Sequence, residues 1–322
     1  MGPINLSNGL KRFLLSPEPM KPIPSLRQLS YLLALHEHGN FGRAAAALFV
    51  SQSAFSVGIA ELERVLEASL VERSKRHVRF TPLGEEIVSR ARRMVQAAED
   101  LQLVAQRSHE PLVGPLRLAA IPTIAPFVLS SILPALARDW PRLKLYVREM
   151  LTSVACDATG RGDIDCVLLA LPVACGDIEK VDVAVDRLIL VTAKGQDQSA
   201  SPLCEAEDQR LLLLEDGHCL KEHALAACHR TATETERLLV ASTLHTLVQL
   251  VDAGLGYTLI PQMAIDAGIL GGTRVEAYPL QTVRAERQIA LVWRRGHPRT
   301  SEFRMLGETI RQAVGGDTGE AS

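Results

Sequence analysis

A cysteine beside a histidine is the most reactive pair of side chains in the sequence. Cys219 follows His218 and a Glu-Asp-Gly turn, and the turn follows four consecutive leucines, Leu211–Leu214. The leucines predict a short buried strand, and the Ala- and Leu-rich residues after the turn predict a helix. Cys219 would then lie at a helix N-terminus, where the helix dipole and a possible imidazolium neighbour favour the thiolate. The thiolate is the nucleophilic form of cysteine.

A second cysteine, Cys228, lies nine residues further along the chain. If the segment is one helix, its rise alone separates the two Cα atoms by about 13 Å. A disulfide needs a Cα separation of roughly 4.4–6.8 Å. The two cysteines can therefore join only if the segment unwinds, which would make it a redox switch. Two inert, buried cysteines are the alternative that these residues leave open, because free cysteine is often a core residue.

The composition predicts two or three domains and no bulk electrostatic attraction to nucleic acid. The chain has 322 residues, is 47% hydrophobic and carries a formal net charge of −2. It contains neither a signal-peptide pattern nor an apolar run of membrane-spanning length, so we expect a cytoplasmic location and no membrane partner. In that compartment the six cysteines would rest reduced, and any disulfide would be regulatory.

The other cysteines lack a context that indicates chemistry. Cys166 falls in a predicted strand and is expected to be a core residue, and Cys156, Cys175 and Cys204 are isolated in the sequence. The histidines and cysteines around Cys219 lack the short spacings of a zinc site. We therefore expect no metal and no cofactor.

The N-terminal part of the chain predicts a winged helix-turn-helix domain. Residues 1–24 contain five prolines without a clear period and are expected to form a flexible tail. Residues 25–81 contain an Ala-rich helix, a tight turn at Phe49-Val50 and a second helix capped by Ser51. Short polar side chains at the start of that helix would reach base edges in the major groove, and the basic stretch after it predicts a β-wing on the phosphates. The candidate DNA-binding residues are Arg43, Ser51, Gln52, Ser53, Ser56, Arg73, Lys75 and Arg76.

A long helix is predicted after the wing. Thr81-Pro82 is typical of a helix N-terminus, and residues 82–113 are expected to form a linker helix and a hinge. Apolar residues recur in this helix at alternating spacings of four and three, which is the pattern of a coiled-coil seam and predicts a homodimer. The seam residues are Ile87, Ala91, Met94, Ala98 and Leu101.

Residues 114–322 predict an α/β regulatory domain. Short apolar strands alternate with helical runs, which favours a mostly parallel sheet. Thr123 and Thr152 each follow a predicted strand, where a hydroxyl can face a cleft, although a helix cap is the alternative for both. Ser242-Thr243 is interpreted first as a cap, too. The predicted strands are Leu116–Ala120, Leu143–Val147, Asp165–Ala170, Arg187–Thr192, Leu211–Leu214, Tyr257–Ile260 and Ile289–Trp293.

The N-terminal motifs resemble those of LysR-type transcriptional regulators. The family usually has Pro in place of Ser53, Leu in place of Phe55 and a polar residue in place of Gly58, and these departures concern base specificity. The resemblance implies binding to promoter double-stranded DNA and RNA polymerase, dimers that assemble into a homotetramer, and no enzymatic activity. It also implies a regulatory domain with two lobes like a periplasmic binding protein, between which the chain crosses twice and a ligand binds. The matching residues are Phe41-Gly-Arg-Ala-Ala, Val50-Ser-Gln-Ser-Ala-Phe-Ser, Leu62-Glu63, Glu72-Arg73-Ser74 and Thr81-Pro-Leu-Gly84.

The cysteine segment resembles that of the peroxide-sensing members of this family. The matching residues are Leu213-Leu-Glu-Asp-Gly-His-Cys219 with a cysteine nine residues on, Ile121-Pro-Thr123, Ile164-Asp-Cys-Val-Leu-Leu-Ala170 and Ala241-Ser-Thr-Leu-His-Thr-Leu247.

By this resemblance, hydrogen peroxide would be the signal for oxidative-stress genes. It implies that Cys219 is the peroxidatic cysteine and Cys228 the resolving one, joined by a reversible disulfide. It further implies a peroxide pocket lined by Thr123, Thr152 and His218, with Arg287 helping to hold the thiolate. A LysR-type regulator of a small organic effector is one alternative. A thiol peroxidase or reductase is another, and the DNA-binding domain argues against it.

Overall fold

The computed structural model describes residues 22–73, 78–105, 110–195, 210–229, 240–280 and 285–315, and these form two compact units that divide after Leu101. Most of the expected N-terminal tail, Cys204 and the wing residues Lys75 and Arg76 lie outside the described residues. Within the described ranges, no single helix is both long and apolar enough to cross a membrane. The helices Phe41–Ala47 and Gln52–Leu66 reach that length and composition only as a pair bent by 102°.

The first unit has the predicted winged helix-turn-helix. The Ser51 hydroxyl caps the third helix by accepting a hydrogen bond from the Ala54 N–H at 3.3 Å, as predicted. The tight turn is also confirmed, with Phe49 at a φ of 55°. The elements are α1 (Leu26–His38), α2 (Phe41–Ala47), α3 (Gln52–Leu66), the antiparallel wing strands β1 (Val71–Arg73) and β2 (Val78–Phe80), and α4 (Pro82–Ala105).

The structure explains the glycine in the middle of α3. A Cβ atom on Gly58 would lie 2.5 Å from the Tyr31 ring, which is closer than such atoms approach. Glycine costs about 1 kcal/mol of helix propensity. Glycine is required here because α1 and α3 pack too closely at this point to leave room for a side chain.

The first residues of the predicted dimer seam on α4 lie against the core of the first unit. Ala91 is only 1% exposed and belongs to the core of the first unit, and Ile87 packs against the same core. The early turns of α4 complete the winged domain, so the buried Ala91 is not available to an intermolecular seam, whereas the half-buried Ile87 stays a predicted seam residue. Met94 and Leu101 are 51% and 72% exposed, and Ala98 is half-buried.

The second unit is an α/β domain. Its elements in chain order are β3 (Gly114–Ala120), α5 (Ala125–Asp139), β4 (Leu143–Glu149), α6 (Thr152–Arg161), β5 (Cys166–Leu171), β6 (Ile178–Ala193), β7 (Leu213–Leu214), α7 (Cys219–Ala227), β8 (Val240–Ala241), α8 (Leu244–Asp252), β9 (Thr258–Pro261), α9 (Gln262–Asp266), β10 (Val275–Pro279), β11 (Glu286–Arg294) and α10 (Thr300–Gly315).

The sheet of this unit is mixed. Strands β3 and β4, β3 and β5, and β7 and β8 pair in parallel, whereas β11 pairs antiparallel with β5 and β6, and β6 pairs antiparallel with β9 and β10. The expectation of a mostly parallel sheet was wrong, because the strands that cross between the lobes run antiparallel to their neighbours. Strand β6 has 16 residues, of which the sequence predicted only the apolar second half. Strands β8 and β10 were not predicted.

Two hydrophobic cores divide the unit into two lobes, as predicted. Leu118, Leu168 and Trp293 belong to the first core, which also contains Cys219. Leu212 and Tyr257 belong to the second core. The chain leaves the first lobe through β6 and returns to it through β11, so it crosses twice.

Candidate functional site

The Cys219 segment forms the predicted strand, turn and helix. Strand β7 pairs with β8, and Gly217 makes the turn at a φ of 95°, a value that favours glycine. His218 is the N-cap of α7, and its side chain makes no capping hydrogen bond. Cys219 is therefore the first residue of the helix.

The Cys219 thiol borders a cavity of about 510 Å³. Cys219 is 5% exposed and is a free cysteine. The Thr152 N–H donates a hydrogen bond to the Gly217 carbonyl at 3.2 Å, which ties the start of α6 to the cysteine turn. The cavity is lined by Thr152, Ser153, Pro172, Val173, Ala174, Gly217, Cys219 and Glu222.

Burial raises the pKa of the Cys219 thiol, against the lowering effects of the Thr152 hydroxyl and the positive charge of Arg287. The sequence indicated features that favour the thiolate, but in this structure the loss of hydration outweighs the groups that lower the pKa of Cys219. Burial also lowers the pKa of His218. This shift disfavours the imidazolium form of His218, and Arg287 is the cation whose charge lowers the pKa of Cys219.

Three buried polar atoms near the cysteine have no hydrogen-bond partner among the described residues. They are Thr152 Oγ1, His218 Nδ1 and His223 Nδ1. The Thr152 hydroxyl is close enough to Cys219 to lower its pKa, although the two atoms lack regular hydrogen-bond geometry. A buried hydroxyl without a partner costs stability. It would be satisfied by a small polar molecule in the cavity.

Arg287 lies fully buried at the junction of the two lobes. Its guanidinium donates to Asp186 Oδ2 at 2.8 Å, to Thr123 Oγ1 at 3.0 Å and to the Thr123 carbonyl at 2.9 Å. Asp186 also accepts from the Met263 N–H at 3.1 Å. These bonds fix the cation in one position.

The structure brings some of the expected pocket residues together and excludes others. Thr152 and Cys219 line the cavity, but Thr123 and His218 do not. Thr123 is connected to the site through Arg287. Neither Thr123 nor Thr152 caps a helix, since the N-caps of α5 and α6 are other residues without side-chain caps. Thr243 is a cap, because its hydroxyl accepts from the Thr246 N–H at 3.2 Å.

Cys228 is in different surroundings from Cys219. It is buried in the core of the second lobe. It is disulfide-bonded. The expectation that all cysteines rest reduced was therefore wrong in this structure.

A second disulfide joins Cys156 to Cys175, whose Cα atoms are 5.0 Å apart. Nothing in their sequence context predicted this pairing, because the contact depends on how the chain turns after β5. Cys166 is a free, fully buried core residue, as predicted.

Sequence reasoning also missed one wall of the cavity and two residues of α7. Pro172–Ala174 form the wall, and neither their residue types nor their spacing indicates a site. Glu222 lines the cavity, and His223 Nε2 lies 3.2 Å from the Pro172 carbonyl oxygen. Their positions three and four residues after Cys219 place both on its face of the helix, which was the available signal.

The described candidate DNA-binding residues belong to α2, to the start of α3 with its cap, and to the first wing strand. Arg43, Gln52 and Ser53 are exposed, and Ser56 is half-buried. Arg73 ends β1 in the wing. No group of three or more histidine, cysteine or acidic residues suited to a metal ion occurs in the described part of the chain.

The winged helix-turn-helix and the two-lobe α/β unit together define a transcriptional regulator. Residues 26–85 match the bacterial regulatory helix-turn-helix proteins of the lysR family, and residues 109–315 match the LysR substrate binding domain. The chain belongs to the LysR family of transcriptional regulators.

Curated relatives of two kinds are similar over most of the chain. The HTH-type transcriptional regulator EstR of Acinetobacter baylyi is 40% identical over 301 residues, which is 91% of this chain and 98% of that protein. The DNA-binding transcriptional dual regulator OxyR of Escherichia coli K12 is 33% identical over 300 residues, which is 91% of this chain and 96% of that protein.

Solved OxyR structures have the same architecture. A full-length cysteine-to-aspartate variant of Pseudomonas aeruginosa OxyR matches with a TM-score of 0.70 and 31% identity, covering 90% of this chain and 98% of that one. A cysteine-to-serine variant of Corynebacterium glutamicum OxyR bound to H2O2 matches with a TM-score of 0.60 and 32% identity, covering 94% and 98%. The chain is thus an OxyR-like LysR regulator.

Proposed function

We propose that this regulator senses hydrogen peroxide through Cys219, and that a reversible Cys219–Cys228 disulfide changes its effect on transcription. The observation that carries the proposal is a free thiol at a cavity wall, beside a buried hydroxyl without a partner among the described residues and within the field of a fixed guanidinium.

The first chemical step is attack of the Cys219 thiolate on one peroxide oxygen. The thiol first loses its proton, which burial opposes and the charge of Arg287 assists. The sulfur–oxygen bond forms as the oxygen–oxygen bond breaks, and the departing hydroxide takes up a proton to leave as water. The Thr152 hydroxyl can donate a hydrogen bond to the departing oxygen. Cys219 is left as a sulfenic acid.

The second step joins the two cysteines. The Cys228 thiolate attacks the sulfenic sulfur, and water leaves. Cys228 must be a thiol for this step, so a dithiol reductant has to open its present disulfide first.

Formation of the Cys219–Cys228 disulfide also requires a change of structure. Cys219 and Cys228 lie at opposite ends of α7 and belong to different cores. At least the helix between them must unwind, and one cysteine must leave its core. This conformational cost links oxidation to the arrangement of the two lobes.

The first unit of the chain would connect this oxidation to transcription through dimerisation and DNA binding. We propose a homodimer through the exposed part of α4, including Met94, Ala98 and Leu101, and a homotetramer of two such dimers on promoter DNA. Gln52 and Ser53 would contact bases, and Arg43 and Arg73 would contact phosphates. Lys75 and Arg76 would extend the phosphate contacts of the wing, and RNA polymerase would respond to the bound tetramer.

A transcription reporter tests the sensing residue. Cells that carry the wild-type regulator should change reporter output after a peroxide pulse, and cells with Cys219→Ser should not. Cys166→Ser is the matched control, because Cys166 is the other free buried cysteine in the described ranges. A normal peroxide response by Cys219→Ser would overturn the proposal.

A second function is favoured by the size of the cavity. Ligand pockets for small organic molecules measure roughly 300–1,000 Å³, and this cavity of about 510 Å³ is far larger than one peroxide molecule requires. A screen of small organic acids and esters by thermal shift of the Cys219→Ser protein tests it. Stabilisation by one compound, together with loss of that effect in Ser153→Trp, would favour this function over peroxide sensing.

A further inference from the structure

We propose that Cys156 and Cys175 form a second redox site, separate from the Cys219–Cys228 pair, whose reversible disulfide holds the two walls of the Cys219 cavity together. The Cα atoms lie 5.0 Å apart, within the range that a disulfide spans. The two cysteines are 19 positions apart in the sequence, and a disulfide joins them in the structure.

The position of the bond on α6 connects it to the cavity. Thr152 lines the cavity at the first residue of α6, and Cys156 follows four residues later. Residues four apart lie on the same face of a helix, one turn from each other. Cys156 therefore lies one helical turn after Thr152, on the same face of α6.

The other half of the bond holds the opposite wall. Pro172, Val173 and Ala174 line the cavity, and Cys175 follows them immediately. In the described residues, that wall is otherwise held near α7 by the hydrogen-bond contact between His223 Nε2 and the Pro172 carbonyl. Reduction would leave this one polar contact to keep the wall beside the cysteine helix.

The disulfide lies beneath a surface segment, where a small reductant can reach it after local opening. Pro172, Ala174, Gly176 and Asp177 are exposed, while Cys175 between them is buried. Gly176 has a φ of 64°, so the chain turns immediately after the bonded cysteine. Local opening of this surface segment, which needs less free energy than global unfolding, would expose the bond.

The chemistry balances with ordinary cellular reagents. In reduction, a dithiol attacks one sulfur of the disulfide, a mixed disulfide forms, and the second thiol of the reductant releases two cysteine thiols and a cyclic disulfide. In oxidation, one thiolate takes an oxygen from hydrogen peroxide and releases water. The second thiol then displaces a second water and closes the disulfide. Each direction transfers two electrons.

The bond would set how readily Cys219 reacts. With the bond closed, the cavity walls are fixed and Cys219 stays almost fully buried. With the bond open, residues 172–177 gain freedom and expose the thiol more often. The effect on transcription rests on the proposed peroxide function, but the bond itself and the accessibility of Cys219 do not.

The test uses the full-length wild-type protein in two redox states. It is equilibrated in oxidised or reduced glutathione buffer, desalted and digested without reduction, and its peptides are analysed by mass spectrometry. In parallel, the rate at which iodoacetamide alkylates Cys219 is measured for both states and for Cys156→Ser, Cys175→Ser and the control Cys166→Ser. The alkylation assay needs no peroxide, so a failure of peroxide sensing does not affect it.

The expected result is a Cys156–Cys175 crosslinked peptide that disappears in the reduced buffer. Alkylation of Cys219 should be about fivefold faster in the reduced protein and in both single variants, because opening a crosslink restores chain freedom worth at least that factor. Cys166→Ser should leave both readings unchanged. The absence of the crosslinked peptide in every buffer would overturn the proposal, and so would one alkylation rate across both redox states. Reduction of the wild-type protein also opens the disulfide of Cys228. The rates of Cys156→Ser and Cys175→Ser, measured without reductant, therefore assign the change to the Cys156–Cys175 bond, and either variant is sufficient if the other fails to fold.

Discussion

The two ends of α7 place two cysteines in opposite settings. Cys219 is a free thiol in the core of the first lobe, bordered by a cavity and influenced by a buried cation. Cys228, one residue past the end of the same helix, is disulfide-bonded in the core of the second lobe. The helix that joins them has only nine residues, of which Cys219 is the first.

This difference assigns the proposed reaction with peroxide to Cys219 and the formation of the disulfide to Cys228. The Thr152 hydroxyl and the charge of Arg287 act on Cys219, whereas Cys228 lies in an apolar core. The Cys156–Cys175 pair has the complementary arrangement, because its Cα atoms are already within bonding distance. One pair can therefore open and close locally, and the other requires refolding of a helix.

Removing the buried cation should have the largest effect. Arg287→Met would leave Asp186 as an unpaired buried carboxylate, and breaking a buried ion pair costs about 3–5 kcal/mol. Urea unfolding of the full-length protein measures this loss of stability. Cys219 alkylation in the folded fraction should also become slower, since its thiolate loses the cation.

Arg295→Gln is the matched control for that prediction. It removes an exposed ion pair with Asp177, and such pairs contribute little because water and salt screen them. Equal unfolding midpoints for the two variants would contradict the role given to Arg287.

Weakening the helix between the cysteines should speed the formation of their disulfide. Ala226 is exposed on α7, and glycine there costs about 1 kcal/mol of helix propensity. If unwinding precedes bond formation, Ala226→Gly should form the crosslink about fivefold faster, because about 1 kcal/mol changes an equilibrium by roughly that factor. Quenched-flow alkylation with peptide analysis measures the rate on protein in which Cys228 has been reduced.

Ala97→Gly, at an exposed position of α4, provides the control for the helix substitution. An unchanged crosslinking rate in Ala226→Gly would mean that the helix need not unwind before the sulfurs meet.

Removing the negative charge of Glu222 should give a smaller effect, which is seen in the pH dependence of the Cys219 reaction. Burial raises the pKa of this thiol, so the thiolate fraction and the rate with peroxide should still rise with pH near pH 7–9, by up to about tenfold per unit. Glu222 raises this pKa further through its negative charge. Glu222→Gln should therefore lower the pKa, shift the rate profile to lower pH and speed the reaction at neutral pH.

Asp216→Asn is the control for the charge effect, because Asp216 is exposed and pairs with Lys221 instead. A stopped-flow profile that moved equally in both variants, or moved to higher pH in Glu222→Gln, would contradict the electrostatic account.

Local patterns predicted the local parts of the site. The leucine run, the Glu-Asp-Gly turn and the residues after it were sufficient to place Cys219 at the start of a helix. The cap at Ser51 and the winged domain followed from equally short-range signals. These features depend on residues a few positions apart, which sequence spacing reports directly.

Contacts between distant segments could not be predicted in this way. Arg287 meets Thr123 across 164 positions and Asp186 across 101. The raised pKa of Cys219 depends on burial, which the packing of both lobes determines. The first half of β6 was missed because its exposed, charged residues have no apolar signal, although pairing with β11 makes it a strand.

The central claim is that Cys219 reacts with peroxide and is captured by Cys228. The most direct test is non-reducing peptide mass spectrometry of fully reduced, desalted protein after near-stoichiometric peroxide, comparing wild type with Cys228→Ser. The account predicts a rapid Cys219–Cys228 crosslink in wild type and overoxidised Cys219 in the variant. Unmodified Cys219 in both proteins, or a crosslink that joins Cys228 to a different cysteine while Cys219 stays a thiol, would contradict it.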